Sequence, residues 1–297
     1  MSVKRIYFDE INIDIKLVKN LLSQQFSEWK NLNLELIKPE GTDNVMYRLG
    51  DDKVVRLPRN QISSLNIEKE INILPILKPH ISISIPEVLA VGKSDESYPF
   101  PWLICSQLEG KNLDDKDEVD LNQAAIDLGN LVRSMQNINS KNGITCKRGE
   151  SISSRDNAVR KAIALSGRFF DTKLLTKLWN NVLKASEWKG DPVWIHGDLH
   201  PGNLLAQDGK ISGIVDFSFS GIGDPAVDLM VAWTLFTKET REIFRAIVRP
   251  DDATWERARG WALFLGVLGY YYYVESNPAF AAIAKKSLDE VIIDHQN

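Results

Sequence analysis

Two cysteines in 297 residues, Cys105 and Cys146, are too few for a disulfide framework and cannot supply a four-cysteine zinc site. Histidine is equally scarce, with only His80, His196, His200 and His295. No run of one charge sign stands out, and 36 basic residues against 40 acidic ones leave a net charge of −4. That balance speaks against a nucleic-acid surface or a basic membrane anchor, and the expected partner is a small molecule. No apolar run reaches the roughly 20 residues that a membrane-spanning helix needs. The longest, Gly260 to Val274, has 15 and predicts a buried helix instead. The N-terminus, MSVKRIYFDEINIDIK, lacks the apolar centre of a secretory signal, which reads as a cytoplasmic protein. What is present is 43% hydrophobic residues, enough for one large domain or two lobes with real cores.

The first third is strand-rich. Asp14 is placed to cap an amphipathic helix carrying Leu17, Leu21 and Leu22 on one face, and LNLELIK, NVMYRL and KVVRLP follow as strands. Gly50, Asp51 and Asp52 join the last two as a hairpin. Ser63 to Leu77 predicts a helix, bent and then stopped by Pro75 and Pro79, and IPEVLAVG and PWLICSQL complete five strands. From Asp120 the periodicity turns helical, with Arg155 to Phe169, Thr172 to Trp188 and about four stretches after residue 224 of the same kind. Residues 1–108 therefore read as a small sheet-containing lobe and 109–297 as a larger helical one, joined near Glu109 and Gly110.

A short β-like island, WIHGDLHPGNLLAQDGKISGIVDF, interrupts the helical part. Pro201 and Gly202 prevent a continuous strand, so Asp198 and Asn203 sit on a loop, and the hairpin that follows ends in Asp216. Two of these three are hard oxygen ligands suited to Mg²⁺, which is commonly shared with nucleotide phosphates, and the third can act as a base. An aspartate, an asparagine five residues later and a downstream metal aspartate form the set used in phosphoryl transfer. Such chemistry also wants a cation on a small-lobe strand and an acid on the next helix. Arg56 and Glu70 fit, with Glu68 pointing elsewhere. Arginine replaces the usual lysine but can hold phosphate in a bidentate way. The turn covering the phosphates would rest on Thr42, Asp43 and Asn44, with the single glycine Gly41 before them.

These motifs, with IVDFSFSGIGDPAVDL and DNVMYRLGDDKVVRLPR, make the chain from about Leu32 to Phe280 resemble the aminoglycoside phosphotransferase family. The resemblance implies an α+β, bilobal protein-kinase-like fold, a five-stranded antiparallel sheet plus helix followed by a mostly helical lobe. It implies a Mg²⁺-dependent kinase using ATP or GTP to phosphorylate a hydroxyl, with an aminoglycoside-type acceptor first and a macrolide or small metabolite as the alternative. In that family the residue matching Asp198 is the base, those matching Asn203 and Asp216 bind metal, and Ser106, Gln107 and Leu108 match the hinge that meets the nucleobase. His196 is expected to brace the loop and His200 to lie near Asp216 or a phosphate. Asp224 is read as a helix cap before Pro225 and Asp228 as a brace beneath the loop. For a cationic acceptor the candidates are Asp251, Asp252, Glu256 and Glu275 in a C-terminal third of net charge −3, with one or two of Tyr270 to Tyr273 as aromatic wall. Two other readings stay open: a non-catalytic nucleotide-binding scaffold, from Arg56 and the glycine-poor turn, and a metal hydrolase built on His196 and His200.

Overall fold

The computed structural model describes residues 10–38, 43–113 and 119–296. The chain divides into two compact units, Met1–Pro79 with Ser84–Glu109, and His80–Ile83 with Gly110–Asn297.

In the first unit helix α1 (Ile15–Gln25) starts where Asp14 accepts the Leu17 N–H at 2.9 Å. Strands β1 (Leu34–Leu36), β2 (Asn44–Leu49) and β3 (Lys53–Pro58), helix α2 (Gln61–Leu77), and strands β4 (Val88–Gly92) and β5 (Trp102–Ser106) follow. The five strands form one antiparallel sheet in the order β1-β2-β3-β5-β4. Gly50, at φ +62°, makes the β2–β3 turn that its sequence signalled. Alternation sends Val55, Leu57, Trp102 and Ile104 to one face, onto Val18, Leu21 and Leu22 of α1. Leu103 and Cys105 go to the other, onto Ile67 of α2, and Arg56 pairs in register with Leu103. Helix α2 begins two residues before the expected start, because Asn60, not a serine, caps it by accepting the Ser63 N–H at 3.0 Å. Pro75 lies inside its last turn, and a 3₁₀ turn over Lys78–His80 ends it.

The second unit opens with a short strand, β6 (Lys111–Asn112), in a stretch that reads as a polar connection, and it pairs with β8 far along the chain. Helices α3 (Leu121–Gln136), α4 (Asp156–Leu165) and α5 (Thr172–Val182) come next. The last two stop short of Phe169 and Trp188, since Ser166 turns its hydroxyl onto the Ala162 carbonyl at 2.6 Å and Leu183 already caps α5. Strands β7 (Val193–Ile195), β8 (Leu204–Gln207), β9 (Lys210–Ile214) and β10 (Gly221–Gly223) form two small sheets, β6-β8-β9 and β7-β10, both antiparallel. Helices α6 (Val231–Thr234), α7 (Lys238–Val248), α8 (Asp252–Tyr273) and α9 (Pro278–Gln296) close the chain. The apolar run from Gly260 lies in α8 as expected, buried through Gly269 and more open at its tyrosines. None of the described helices is long and apolar enough to cross a membrane.

One backbone crossing fixes the segment before α4. The Asp224 N–H donates to the Gly149 carbonyl at 3.0 Å, and a Cβ on Gly223 would lie 2.2 Å from the Gly149 Cα. Only hydrogens fit there, so the two chains are pinned at van der Waals contact. Gly223→Ala should destabilise the protein by about 1–3 kcal/mol, the usual cost of overpacking. Urea unfolding would show it as a lower midpoint at unchanged slope.

Candidate active site

Strand β7 ends at Ile195 and the chain runs into HGDLHPGN, whose peptide groups have no sheet partner of their own. A buried carboxylate supplies one. Asp228 accepts the His196 N–H on Oδ2 at 2.7 Å and the Gly197 N–H on Oδ1 at 2.8 Å. Gly197 sits at φ +81°, and a Cβ there would strike the Phe219 carbonyl at 2.5 Å. Asp228 lies in a 3₁₀ turn, Pro225–Met230, whose cap Asp224 accepts the Ala226 N–H and also pairs with buried Arg257 at 2.7 and 3.1 Å. Asp224 thus holds a helix cap, as predicted, and a buried ion pair that the sequence did not reveal. Burial pushes the Asp228 carboxyl up to about 7, against the two N–H bonds that favour its ionised form.

Asp198 stands at the centre of the loop. Its Oδ2 receives His200 Nε2 and the Asn203 amide, each at 3.3 Å, and its Oδ1 faces an Arg148 Nη2 at 3.4 Å. Burial would raise its pKa, but the interactions with His200 and the Arg148 guanidinium outweigh that and hold the carboxyl well below the usual carboxylate range. Asp198 is therefore ionised. His200 was expected beside Asp216 or a phosphate; it turns to Asp198 because its Nδ1 is committed to the Gly202 N–H at 3.1 Å, leaving Nε2 as the donor. His196 braces the loop as predicted. Its Nε2 meets the Val215 carbonyl at 3.1 Å, so that nitrogen carries the proton, and Nδ1 accepts from the Asp198 N–H at 3.3 Å. Burial lowers its pKa and keeps it neutral.

Asn203 donates its amide to the Asp198 carbonyl at 2.9 Å, which turns its own Oδ1 the other way. Its backbone carbonyl takes the Val215 N–H at 3.0 Å, and this brings Asp216 next to the loop. Asp216 adopts φ +63°, with one oxygen accepting the Ser218 N–H at 3.3 Å. One amide oxygen and one carboxylate suit Mg²⁺, which keeps several waters and borrows ligands from phosphate. They would not build a zinc centre. Among the described residues no group of three or more His, Cys, Asp and Glu is placed to hold a metal, and both loop histidines have other work.

In the first unit Arg56 and Glu70 meet as expected, with Nη2 to Oε1 at 3.0 Å and a second contact from Nη1 to Oε2, both side chains buried. Asn44 opens β2 with its Oδ1 buried and, among the described residues, without a hydrogen-bond partner; Thr42 and Gly41 lie outside the described residues. Of the three hinge amides, Ser106 donates to the Glu87 carbonyl at 3.0 Å and Gln107 to the Asp52 carbonyl at 2.8 Å. Leu108 makes no such bond among the described residues.

The four acidic acceptor candidates are otherwise engaged. Asp251 caps α8 through the Thr254 N–H at 2.6 Å, Asp252 pairs with Arg245, Glu256 with Arg259, and exposed Glu275 with Arg168. Tyr270 packs its ring against Phe169 and Phe170. Arg148, by contrast, has no mark in the sequence, since an arginine in CKRGE says nothing of what it will face.

Replacing Asp228 by Asn leaves one oxygen for two N–H donors, and stability should fall by about 1–3 kcal/mol, the cost of a buried unsatisfied donor. A raised acid pKa gives stability that is complete at low pH and is lost as pH rises through the folded value. The gap between wild type and Asp228→Asn should therefore narrow from about pH 4 to about pH 7. Denaturant melts across that range measure it.

Known proteins share the family pattern and the fold. The sequence pattern of the phosphotransferase enzyme family matches residues 36–261. The solved GDP complex of wild-type aminoglycoside 2'-phosphotransferase-IIIa superposes with a TM-score of 0.71 at 18% identity, over 95% of this chain and 100% of that one. The macrolide 2'-phosphotransferase MphH from Brachybacterium faecium gives 0.63 at 22%, over 93% and 98%. An aminoglycoside 3'-phosphotransferase of Escherichia coli is 37% identical over 57 residues, 19% of this chain and 21% of that protein. The chain spans under a third of the length of the curated relatives it matches. A kinase-like fold shared along nearly the whole chain, and a family pattern running from β1 into α8, place this protein in the phosphotransferase enzyme family.

Proposed function

We propose that this chain transfers the γ-phosphoryl group of ATP or GTP to a hydroxyl of a small molecule, with Asp198 as the base. The observation that carries the proposal is the joint state of Asp198 and Asn203. The carboxylate is ionised and immobilised, and the amide five residues on donates to it and to the Asp198 backbone carbonyl, with its own oxygen turned away. Neighbours solved with GDP and with ADP support the nucleotide as donor.

In this reading Asp198 orients the acceptor hydroxyl in line with the γ-phosphorus and takes its proton as the new O–P bond forms and the bond to the nucleoside diphosphate breaks. Phosphoryl transfer has a loose transition state, so placing the hydroxyl counts for more than basicity, and a carboxylate of low pKa suffices. Asn203 and Asp216 would hold Mg²⁺, which when bound neutralises charge on the phosphates. Arg56, its fork set by Glu70, would hold the remaining phosphates. Asn44, with Thr42, would face them from the covering turn, and residues 1–108 are the nucleotide-binding lobe. Leu108 is the hinge amide left for the nucleobase, with Ser106 and Gln107 shaping the hinge around it. Such a reaction belongs in the cytoplasm, where nucleoside triphosphates and Mg²⁺ are available.

The acceptor is where resemblance and geometry part. The family points to an aminoglycoside-type acceptor, with a macrolide or small metabolite as the alternative, and one neighbour holds GDP with kanamycin. Against a polycation, the acidic candidates in the C-terminal third are already paired or capping.

Asp198→Asn should lower turnover by about 10²–10⁴-fold, the usual worth of a positioned base, with nucleotide affinity within about twofold of wild type. Steady-state assay of nucleoside diphosphate release, together with nucleotide titration, checks both. Normal turnover by Asp198→Asn removes the base assignment. Nucleotide binding by an inert wild type, across a panel of aminoglycosides, macrolides and metabolic alcohols, supports the scaffold reading instead.

A further inference from the structure

We propose that Arg148 is the residue that selects the acceptor, and that it takes an oxyanion, carboxylate or phosphate, carried a few bonds from the reacting hydroxyl. The inference rests on the phosphotransferase reading, since it places the hydroxyl at Asp198.

The position of Arg148 is built. Its segment is pinned by the Gly149–Gly223 crossing and by the Asp224 N–H on the Gly149 carbonyl. Its Cβ stands 3.2 Å from where a Cβ on Gly197 would be, directly against the loop. Three rings bound the guanidinium, Phe219 at 5.0 Å, Phe264 at 5.2 Å and Trp261 at 5.8 Å. Stacked rings hold the plane of a guanidinium and leave its edge to donate. Nη2 points that edge toward Asp198.

The bond it makes there is weak. A committed arginine–carboxylate pair is bidentate at about 2.7–2.9 Å, and this one is a single contact at 3.4 Å. Asp198 already answers His200 and Asn203. A second guanidinium, Arg155, lies over the same Trp261 ring at 5.7 Å, and its pKa is lowered by burial and by the charge of Arg148, against Glu150. The base is thus flanked by a cation that its neighbours cannot fully satisfy and that cannot withdraw. An ammonium group beside the reacting hydroxyl would meet it. A carboxylate or phosphate in that place would accept from Nη2, which its single long contact with Asp198 leaves under-used.

A charge-graded acceptor set tests this, with Mg²⁺ and a non-hydrolysable nucleotide bound: glycerol, glycerate, glycerol phosphate and kanamycin, titrated by calorimetry. Wild type should bind glycerate or glycerol phosphate about tenfold or more tighter than glycerol, roughly one charge-assisted hydrogen bond. Which of the two binds tighter identifies the oxyanion. Arg148→Gln should lose that preference while glycerol and nucleotide affinities stay within about twofold, and Arg148→Lys should keep part of it. A merely structural arginine would weaken all four probes together. The inference falls if neither oxyanion binds saturably, if Arg148→Gln binds them as wild type does, or if wild type prefers kanamycin to both. Failure of wild type to bind nucleotide would overturn the phosphotransferase reading, whereas intact nucleotide binding without the oxyanion preference overturns this inference alone.

Discussion

Everything chemical in this chain hangs from one buried carboxylate. A loop that is neither helix nor strand must still satisfy its peptide groups, and HGDLHPGN does so through Asp228, thirty residues downstream, which accepts two successive N–H groups. Asp228 is itself fixed by the turn that Asp224 caps, and Asp224 is locked to Arg257 of α8. The loop, the 3₁₀ turn and the long helix therefore form one rigid support. That support fixes where Asp198 stands.

Charge around the loop is arranged in layers. Beneath it, His196 is neutral and spends both ring nitrogens on the backbone, so the first histidine of the motif is a strut. Beside it, His200 and Asn203 fix one oxygen of Asp198, and Arg148 faces the other. Burial works against the His200 hydrogen bond and the Arg148 guanidinium, and the balance leaves the carboxylate ionised. Arg56 makes a contrast with Arg148. It is bidentate with a buried acid, so its fork is set in advance, while Arg148 is held by rings and touches its carboxylate once. The same residue type is pre-ordered by an ion pair in one unit and by aromatic surface in the other.

The parts of the fold and site that were legible in the sequence are those where partners lie close along the chain. The β2–β3 hairpin, the cap of α1, the helical stripe after Asp120 and the spacing of Asp198, Asn203 and Asp216 all follow from neighbours a few residues apart. So did the Arg56–Glu70 pair, since a strand and the next helix put residues 14 apart on facing surfaces. Misreadings had two sources. Strand β6 exists only because distant β8 offers it an edge, whereas the start of α2 at Asn60 and the turn of His200 to Asp198 were settled by which nearby group took a cap or a ring nitrogen first.

By itself the sequence pointed to the class of chemistry, through the types and spacing of an aspartate, an asparagine and a second aspartate, and left a hydrolase built on His196 and His200 as a rival. Only the tertiary structure decided how the charges are spent. It gave Asp251 a capping role and Asp252, Glu256 and Glu275 arginine neighbours, and brought Arg148 across fifty residues to Asp198. The reason is physical. Spacing sets which residues can share a loop, but the charge that a substrate meets is the sum left after every side chain has found its partner, and most of those partners come from remote chain.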